Sequence, residues 1–305
     1  MSSAPPIPQL DRIQRAIDFI EEHLFEELRV ETIAARAAYS PWHFQRLFGA
    51  LVGETVGGYV RKRRLSRALE ALRASDARIA EIAWDHGFES HEAFARAFKS
   101  TFGVTPGAAR VRCTLSAAPL HAIVLSDDFF HQRYGERRME PTIKEIGAMN
   151  VIGVGAPFTT VLSPETNNIT VIPALWDTLF KRVGEIEGAR PELSIGLVGD
   201  LPEGMERTEE GEYFYVAGVA APDGAPAPEG MRSIAIPARR YAVFTHRGPL
   251  DGLKETYSHI YGSWLPRSDY ERAGGDAPDL ELYDERFRMG SPESAFDICI
   301  PVEKG

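Results

Sequence analysis

The first third of the sequence contains an internal repeat, and this repeat restricts the fold more than any other feature. Residues 44–55 (FQRLFGALVGET) recur as residues 94–105 (FARAFKSTFGVT), with five identities at a constant spacing of fifty. Three upstream positions repeat at a spacing of forty-nine: Ile33, Ala34 and Tyr39 against Ile82, Ala83 and Phe88. A repeat that keeps this order predicts two copies of one supersecondary unit.

Each copy has the pattern of a helix, a tight turn and a second helix. In the first copy, a supporting helix is predicted over residues 30–38. Ser40 and Pro41 then mark a new helix start, because serine caps a helix and proline fits its first turn. This second helix spans residues 41–51, with apolar side chains at helical spacing: Phe44, Leu47, Phe48 and Leu51. The sequence therefore predicts two helix-turn-helix motifs.

The face opposite this apolar stripe is predicted to be exposed and to read DNA bases. It carries Trp42, Gln45 and Arg46. In a major groove, arginine pairs with guanine and glutamine pairs with adenine, whereas an exposed tryptophan is unusual on a solvated helix. In the second copy, which Ser90 caps, the corresponding outward residues are His91, Glu92, Arg96 and Lys99.

A basic helix, predicted over residues 59–75, joins the two copies. Its positive residues are Arg61, Lys62, Arg63, Arg64 and Arg67. Because such a run spreads around a helix, only some of these side chains can contact one surface. Arg61 is our candidate for a DNA phosphate contact, and a solvated linker helix is the alternative.

Charge is distributed unevenly along the chain. Residues 1–112 carry 16 Lys and Arg against 14 Asp and Glu, whereas residues 113–305 carry 18 against 30. The overall charge of −10 therefore belongs to the second part. Charges are screened beyond about 8 Å at physiological salt, so a basic surface in the first part is compatible with DNA binding. The acidic second part favours a cationic ligand.

Several classes of protein are excluded at this stage. The chain has neither a run of about 18 apolar residues nor the basic and apolar start of a signal peptide, so we expect a cytoplasmic protein with no membrane partner. Cys113 and Cys299 are far apart, so we expect reduced structural thiols, no metal site and no cofactor. Residues 113–140 lack periodicity and are predicted to be a linker.

The remaining residues alternate between strand-like and helix-like segments. The order is strand, helix, strand, strand, and it occurs twice, with helices at about residues 171–187 and 250–264. This order predicts an α+β domain of two strand-helix-strand-strand halves, with a cleft where the halves meet.

The segment DLELYDERF contains the strongest candidate for ligand recognition. Alternation places Leu280 and Leu282 on one face, which we expect a helix to cover. Asp279, Glu281 and Tyr283 share the other face, so a carboxylate and an aromatic ring project together. The alternative is a solvated glutamate beside a half-buried tyrosine.

The first part of the chain resembles the AraC/XylS family of transcription regulators. The resemblance lies in the strings YSPWHFQRLF, GYVRKRRL, IAEIAWDHGFES and FARAFKSTFGVTPGAAR. It implies an all-α, AraC-type double helix-turn-helix domain over residues 8–112, whose two recognition helices enter successive major grooves of promoter DNA. By position, the base-reading residues are Trp42, Gln45 and Arg46 in the first helix, and His91, Glu92 and Arg96 in the second.

The second part resembles the GyrI-like effector-binding domain over residues 141–303. The matching strings are IPARRYAVFTHRGPL, YSHIYGSWLPRSDYE, DLELYDERF and SAFDICIPVEK. The resemblance implies a pocket for a cationic or aromatic small molecule, with Glu281 and Tyr283 as contacts. Further aromatic candidates are Trp176, Trp264, Tyr241 and Phe244, for which a place in the core is the alternative.

The two resemblances together predict a transcription regulator rather than an enzyme. Promoter DNA and a small-molecule effector are the expected partners, with RNA polymerase as a further one. Activation is favoured over repression, because activators are common in the family that the first part resembles. No catalytic residue is predicted. The alternative is a C-terminal domain that sequesters or hydrolyses a toxic molecule, with Glu281 activating water.

Overall fold

The chain folds into two compact units, Met1–Phe129 and Phe130–Gly305, in a computed structural model. The structure describes residues 8–111, 120–125, 129, 139–159, 166–200, 202, 205, 212–273 and 277–305. Cys113 and most of the predicted linker, including residues 126–128 and 130–138, lie outside the described residues. The boundary between the units falls within the segment that the sequence assigns to the linker.

Residues 8–111 form seven helices. They are α1 (Pro8–Glu22), α2 (Val30–Arg36), α3 (Pro41–Val52), α4 (Val56–Ala74), α5 (Ile79–Asp85), α6 (His91–Phe102) and α7 (Pro106–Val111). Within the described residues, no helix is both long and apolar enough to cross a bilayer.

The repeated residues form the same helix starts and ends in both copies. The hydroxyl of Ser40 accepts the His43 amide at the start of α3, and that of Ser90 accepts the Ala93 amide at the start of α6. Both helices end at a left-handed glycine, Gly53 or Gly103, a conformation that glycine adopts without strain. The two copies therefore share the residues that start and end the helix as well as the residues that form the core.

The apolar stripes of α4 and α6 build the core of the second motif. Phe94, Phe98 and Phe102 are buried, with ring centroids 5.4 and 4.7 Å apart between successive rings. They pack with Leu65, Leu69 and Leu72 of α4. The period of three to four residues in both helices is the direct cause of this contact.

A short stretch of the predicted linker, residues 120–125, packs against the helical unit. Ser66 Oγ accepts the Leu120 amide at 2.6 Å, and the Arg63 guanidinium donates to the Leu120 carbonyl. Gln14 Oε1 accepts the Leu125 amide at 2.9 Å. These hydrogen bonds from side chains of α1 and α4 fix residues 120–125 of the predicted linker on the helical unit.

The described residues of the second unit form nine strands. They are β1 (Thr142–Ile146), β2 (Met149–Thr159), β3 (Arg190–Gly199), β4 (Glu212–Ala221), β5 (Arg232–Ile236), β6 (Arg239–Arg247), β7 (Tyr270–Arg272), β8 (Asp279–Tyr283) and β9 (Ala295–Lys304). The helices are α8 (Asn168–Arg182), α9 (Leu253–His259) and α10 (Leu265–Arg267), with a π-helical turn, Ile260–Trp264, between the last two.

The sheet is antiparallel, with the order β1-β6-β9-β8-β3-β4-β2-β5, and β7 pairs with β9. Strands β3 and β8 lie at its centre, with Gly196 directly opposite Glu281. The outer strands are exchanged, since β1 pairs with β6 and β5 pairs with β2. The two-domain layout, helical and then α+β, is as the sequence predicts.

The alternation predicted for β8 is confirmed, but the position of the helices is not. Leu280 packs in an apolar cluster with residues from strands across the sheet, including Ile236 and Val243. Helices α8 and α9 instead contact the Glu281 face, because Trp176 of α8 and Tyr257 of α9 donate hydrogen bonds there. The leucine face needs no helix, since the curled sheet buries it.

An ion pair between Glu21 and Arg63 supports the helical unit. Two guanidinium nitrogens donate to the carboxylate at 2.7 and 2.8 Å, and the Tyr59 hydroxyl donates at 2.8 Å. Burial raises the pKa of Glu21, but the hydrogen bonds from Arg63 and Tyr59, together with the positive charge of Arg63, lower it by more. The pKa of Glu21 therefore lies below its ordinary value.

We expect Glu21→Gln to lower the free energy of unfolding by about 3 kcal/mol, because Arg63 then stays buried without its counter-charge. Glu70→Gln is the matched control, because its pair with Arg67 is half exposed and contributes less than about 1 kcal/mol. Urea unfolding of both variants, followed by circular dichroism, tests this. Equal losses in the two variants would contradict it.

The same pair should make stability depend on pH. Because the pKa of Glu21 is lowered by folding, its contribution is present above the unfolded pKa and is lost as the pH falls through the folded pKa. The stability difference between the wild type and Glu21→Gln should therefore shrink on acidification below the ordinary pKa of glutamate. A difference that is independent of pH there would remove the charge from this explanation.

Candidate ligand site and nucleic-acid interface

The carboxylate of Glu281 lies at the centre of the sheet and accepts three tyrosine hydroxyls. Tyr215 and Tyr283 donate to Oε2, and Tyr257 donates to Oε1, each at 2.8 Å. The side chain is only 4% exposed. Every hydrogen bond that the described part of the chain gives Glu281 comes from a neutral phenol, so the carboxylate has no internal counter-ion there.

Strand register brings these groups together. Gly196 on β3 lies opposite Glu281, and Tyr215 on β4 projects from the same face. A Cβ atom at Gly196 would lie 2.3 Å from the Tyr215 hydroxyl and 2.9 Å from Glu281 Oε2. Glycine at this position therefore provides the space in which the tyrosine reaches the carboxylate.

Aromatic rings from α8 and the strands form one side of the site. The Trp176 indole donates to the Tyr215 hydroxyl at 3.2 Å and meets the Tyr283 ring edge-on, with centroids 5.3 Å apart. Phe158 packs edge-on against Tyr215, and the half-exposed Phe180 stacks on Trp176. Rings around a carboxylate provide an apolar surface and π-faces for an aromatic or cationic group.

Tyr215 and Tyr283 stay protonated as donors to Glu281. Burial raises the pKa of Tyr215 and of Tyr283 well above the ordinary value, and the charge of Glu281 raises both further. Phenolate chemistry is therefore strongly disfavoured. A nearly buried carboxylate whose donors are all neutral is suited to bind a cationic ligand, because the ligand then provides the missing counter-charge.

A second carboxylate, Asp279, lies on the same face and is fully buried. It accepts the Tyr261 hydroxyl, and the Arg272 guanidinium lies 3.4 Å from it. Asp279 therefore has an internal counter-ion, unlike Glu281. Tyr261 stacks on Tyr257, with centroids 6.5 Å apart, so the two carboxylates contact neighbouring tyrosines of one helical segment.

The structure separates the other predicted aromatic residues from Glu281. Phe244 is two strands away from Glu281, because both residues pair with Ile298 of β9, one from each side. Its ring packs edge-on against Trp264, which stacks on Tyr270. Tyr241 lies in the core cluster on the opposite face of the sheet, one residue out of phase with the pocket. The prediction that Tyr241 lines the Glu281 site is wrong, because its register sends it to the leucine face.

The outward face of α6 is exposed, as the sequence predicts. His91, Glu92, Arg96 and Lys99 are all exposed, whereas Phe94 and Phe98 are buried on the opposite side. This face has the residue types and the accessibility of a base-reading helix.

The outward face of α3 differs from the prediction. Ten of its twelve residues are buried, and Trp42 and Gln45 are only 3% and 7% exposed. Arg46 is partly exposed, with its guanidinium 5.4 Å from the Trp42 ring centroid. The prediction of an exposed Trp42 and Gln45 is wrong in this structure. This burial has a cost, because the side-chain amide of Gln45 has no hydrogen-bond partner among the described residues.

The basic run of α4 divides between structural and exposed positions. Arg63 is buried on Glu21, and Arg64 donates to the carbonyl oxygens of Leu24 and Glu26. Lys62 pairs with Glu54 at 2.7 Å. Arg61 is exposed, which leaves it accessible to a phosphate.

Two residues of the ligand site, Tyr215 and Tyr257, are absent from the sequence-based candidates. Tyr215 lies in a fully buried strand without a polar neighbour, and it reaches Glu281 over 66 positions of sequence. Spacing within one strand cannot show this contact. Because Tyr257 and Tyr261 are four residues apart on a predicted helix, they were the available signal for a tyrosine pair on one face.

The fold and the site together define a class of protein: a transcription regulator with a helix-turn-helix repeat and a small-molecule-binding domain. Residues 33–112 match the family described as "Helix-turn-helix domain", here of the AraC type, and residues 139–303 match the "GyrI-like small molecule binding domain". The second match covers more than half of the chain. The chain therefore belongs to the GyrI-like family and carries an AraC-type DNA-binding domain.

Curated transcription regulators match this chain over different shares of its length. The chain is 27% identical to the transcriptional regulator Rob of Salmonella typhimurium over 272 residues, which is 89% of each chain. It is 36% identical to the transcriptional regulator BrlR of Pseudomonas aeruginosa over 172 residues, 54% of this chain and 56% of BrlR. The regulatory protein SoxS of Salmonella typhimurium is 38% identical over 100 residues, 33% of this chain and 94% of SoxS.

We expect Gly196→Ala to destabilise the second unit by about 1–3 kcal/mol and to displace the Tyr215 hydroxyl from Glu281, because its Cβ overlaps both side chains. Gly199→Ala on the same strand is the control, because its nearest neighbour, Pro278 Cβ, lies 3.6 Å away. Thermal unfolding of both proteins tests this. Equal melting temperatures would show that the pocket has free space at Gly196.

Proposed function

We propose that this protein is a cytoplasmic, one-component transcription regulator whose DNA binding responds to a cationic aromatic molecule held at Glu281. The observation that carries the proposal is the nearly buried Glu281 carboxylate, which accepts hydrogen bonds from neutral phenols within the described residues. A cationic effector provides the missing charge, and Tyr215, Tyr283 and Trp176 provide aromatic surface. Kinship with curated regulators supports the regulatory part.

We assign DNA binding to residues 8–112, the connection to residues 113–140 and effector binding to residues 141–303. We also propose that the effector domain consists of two equivalent halves. The symmetric strand order supports this, since exchanging β1 with β5, β6 with β2, β9 with β4 and β8 with β3 reverses the sheet. Helices α8 and α9 are then equivalent, and Gly196 occupies the position equivalent to Glu281.

For DNA recognition, we propose α6 as a base-reading helix through His91, Glu92 and Arg96, with Arg46 of α3 reading the other half of the site. Lys99 and Arg61 contact phosphates. The exposure of the α6 residues and of Arg61 supports these roles. Activation rather than repression, through contact with RNA polymerase, is part of the proposal, and transcription from a bound promoter with purified polymerase tests it.

We also propose that the effector is bound and not converted. The three phenols already use three of the hydrogen-bond acceptor positions of Glu281, which leaves little room for a water molecule that the carboxylate could activate. Effector recovered unchanged after long incubation with the protein is the expected result. Accumulation of a product would favour hydrolysis instead.

We expect Arg96→Ala to weaken binding to a specific promoter site by about 1–3 kcal/mol and to leave binding to random DNA nearly unchanged. Arg61→Ala should weaken binding to both DNAs equally and reduce the salt dependence by about one unit, as for a phosphate contact. Titrations at two salt concentrations distinguish the two. Equal effects of Arg96→Ala on both DNAs would reassign Arg96 to the backbone.

We expect Glu281→Gln to weaken binding of phenyltrimethylammonium by at least about 2 kcal/mol and to leave binding of its neutral isostere, tert-butylbenzene, nearly unchanged. Glu285→Gln, at an exposed position four residues away, should change neither affinity. Calorimetric titration of the full-length protein measures both ligands. A wild-type protein that does not prefer the cation would contradict the proposed effector class.

A further inference from the structure

We propose that Tyr257 is a further specificity-determining residue of this site, because its hydroxyl occupies the side of Glu281 on which a cation binds. Asp279 and Arg272 are positioning residues that hold the helical segment carrying Tyr257. This inference rests on the proposed function and adds to it the residue that a cation must displace.

The two oxygens of Glu281 have different surroundings. Oε2 accepts hydrogen bonds from Tyr215 and Tyr283, both of which belong to the sheet. Oε1 accepts the hydroxyl of Tyr257, which belongs to α9. Tyr215 is fully buried, whereas Tyr257 and Tyr283 are both partly exposed. Because Oε1 accepts one hydroxyl and Oε2 accepts two, a ligand from solvent meets the less occupied Oε1, where it competes with Tyr257.

Helix and strand match in spacing at this contact. Tyr257 and Tyr261 are four residues apart, which is about 6 Å along a helix. Glu281 and Asp279 are two residues apart, which is about 6.7 Å along a strand. The two tyrosines can therefore donate to the two carboxylates at the same time, as the structure shows. Tyr257 lies in α9, and Tyr261 lies in the π-helical turn that begins at Ile260.

The two contacts differ in their counter-ions. Asp279 is fully buried and has Arg272 at 3.4 Å, so the Tyr261 contact is electrically complete without a ligand. Glu281 accepts only phenol hydroxyls from the described residues, so the Tyr257 contact leaves a negative charge uncompensated. A cation is attracted to the second contact and not to the first. Tyr261 thus holds the segment in place while Tyr257 exchanges.

The test compares Tyr257→Phe with Tyr261→Phe in the full-length protein. Both changes remove one hydroxyl and keep the ring, so cation–π contact is retained. Phenyltrimethylammonium and tert-butylbenzene are the probes. Tyr257→Phe should bind the cation about tenfold more tightly, because one competing hydrogen bond to a charged group is gone, and should bind the neutral probe as before.

Tyr261→Phe should weaken both probes and lower the melting temperature, because the segment loses its fixed contact and the Asp279–Arg272 pair loses a donor. Unchanged or weaker cation binding by Tyr257→Phe would overturn the inference, provided that the wild type prefers the cation. If the wild type shows no such preference, the proposed function itself is contradicted. An equal gain for both probes in Tyr257→Phe would also overturn it, since that result indicates added space and not a freed carboxylate.

Discussion

A carboxylate that is only 4% exposed needs hydrogen-bond donors around it, and the arrangement of the second unit meets this requirement at Glu281. The central strands hold Glu281 opposite a glycine, so that Tyr215 can approach it. Helix α9 adds Tyr257 from outside the sheet. Sheet order, the missing side chain at Gly196 and the placement of both helices on one face together bring neutral donors to this one carboxylate.

Local patterns in the sequence were sufficient for the helical unit and for the alternation on β8. The capping serines, Ser40 and Ser90, and the apolar periods define α3 and α6 without reference to distant residues. Alternation likewise places Leu280 and Glu281 on opposite faces. Such features depend on neighbours within one turn or one strand, and sequence spacing reports those neighbours directly.

Features that depend on register or on long-range partners could not be predicted in this way. Neighbouring residues of a strand lie on opposite faces of the sheet, and Tyr241 lies on the face opposite the pocket. The sequence of β6 alone does not show which of its two faces is the pocket face. Arg63 looks like one member of a basic run, yet it is buried on Glu21, 42 positions away. Trp42 has the position of a DNA-reading residue, but it is buried. Its burial depends on residues outside α3, and the spacing within α3 does not reveal them.

The exchange of β1 and β5 makes completion of the effector domain a late event in protein synthesis. Strand β1 pairs with β6, whose first residue follows the last residue of β1 by more than ninety positions, and β6 also pairs with β9 at the end of the chain. Sheets built from such distant pairs form slowly, and their unpaired edges stay exposed meanwhile. The helical unit precedes the effector domain in the sequence and is synthesised first. On the ribosome, the growing chain therefore has a complete helix-turn-helix repeat before it has a ligand site.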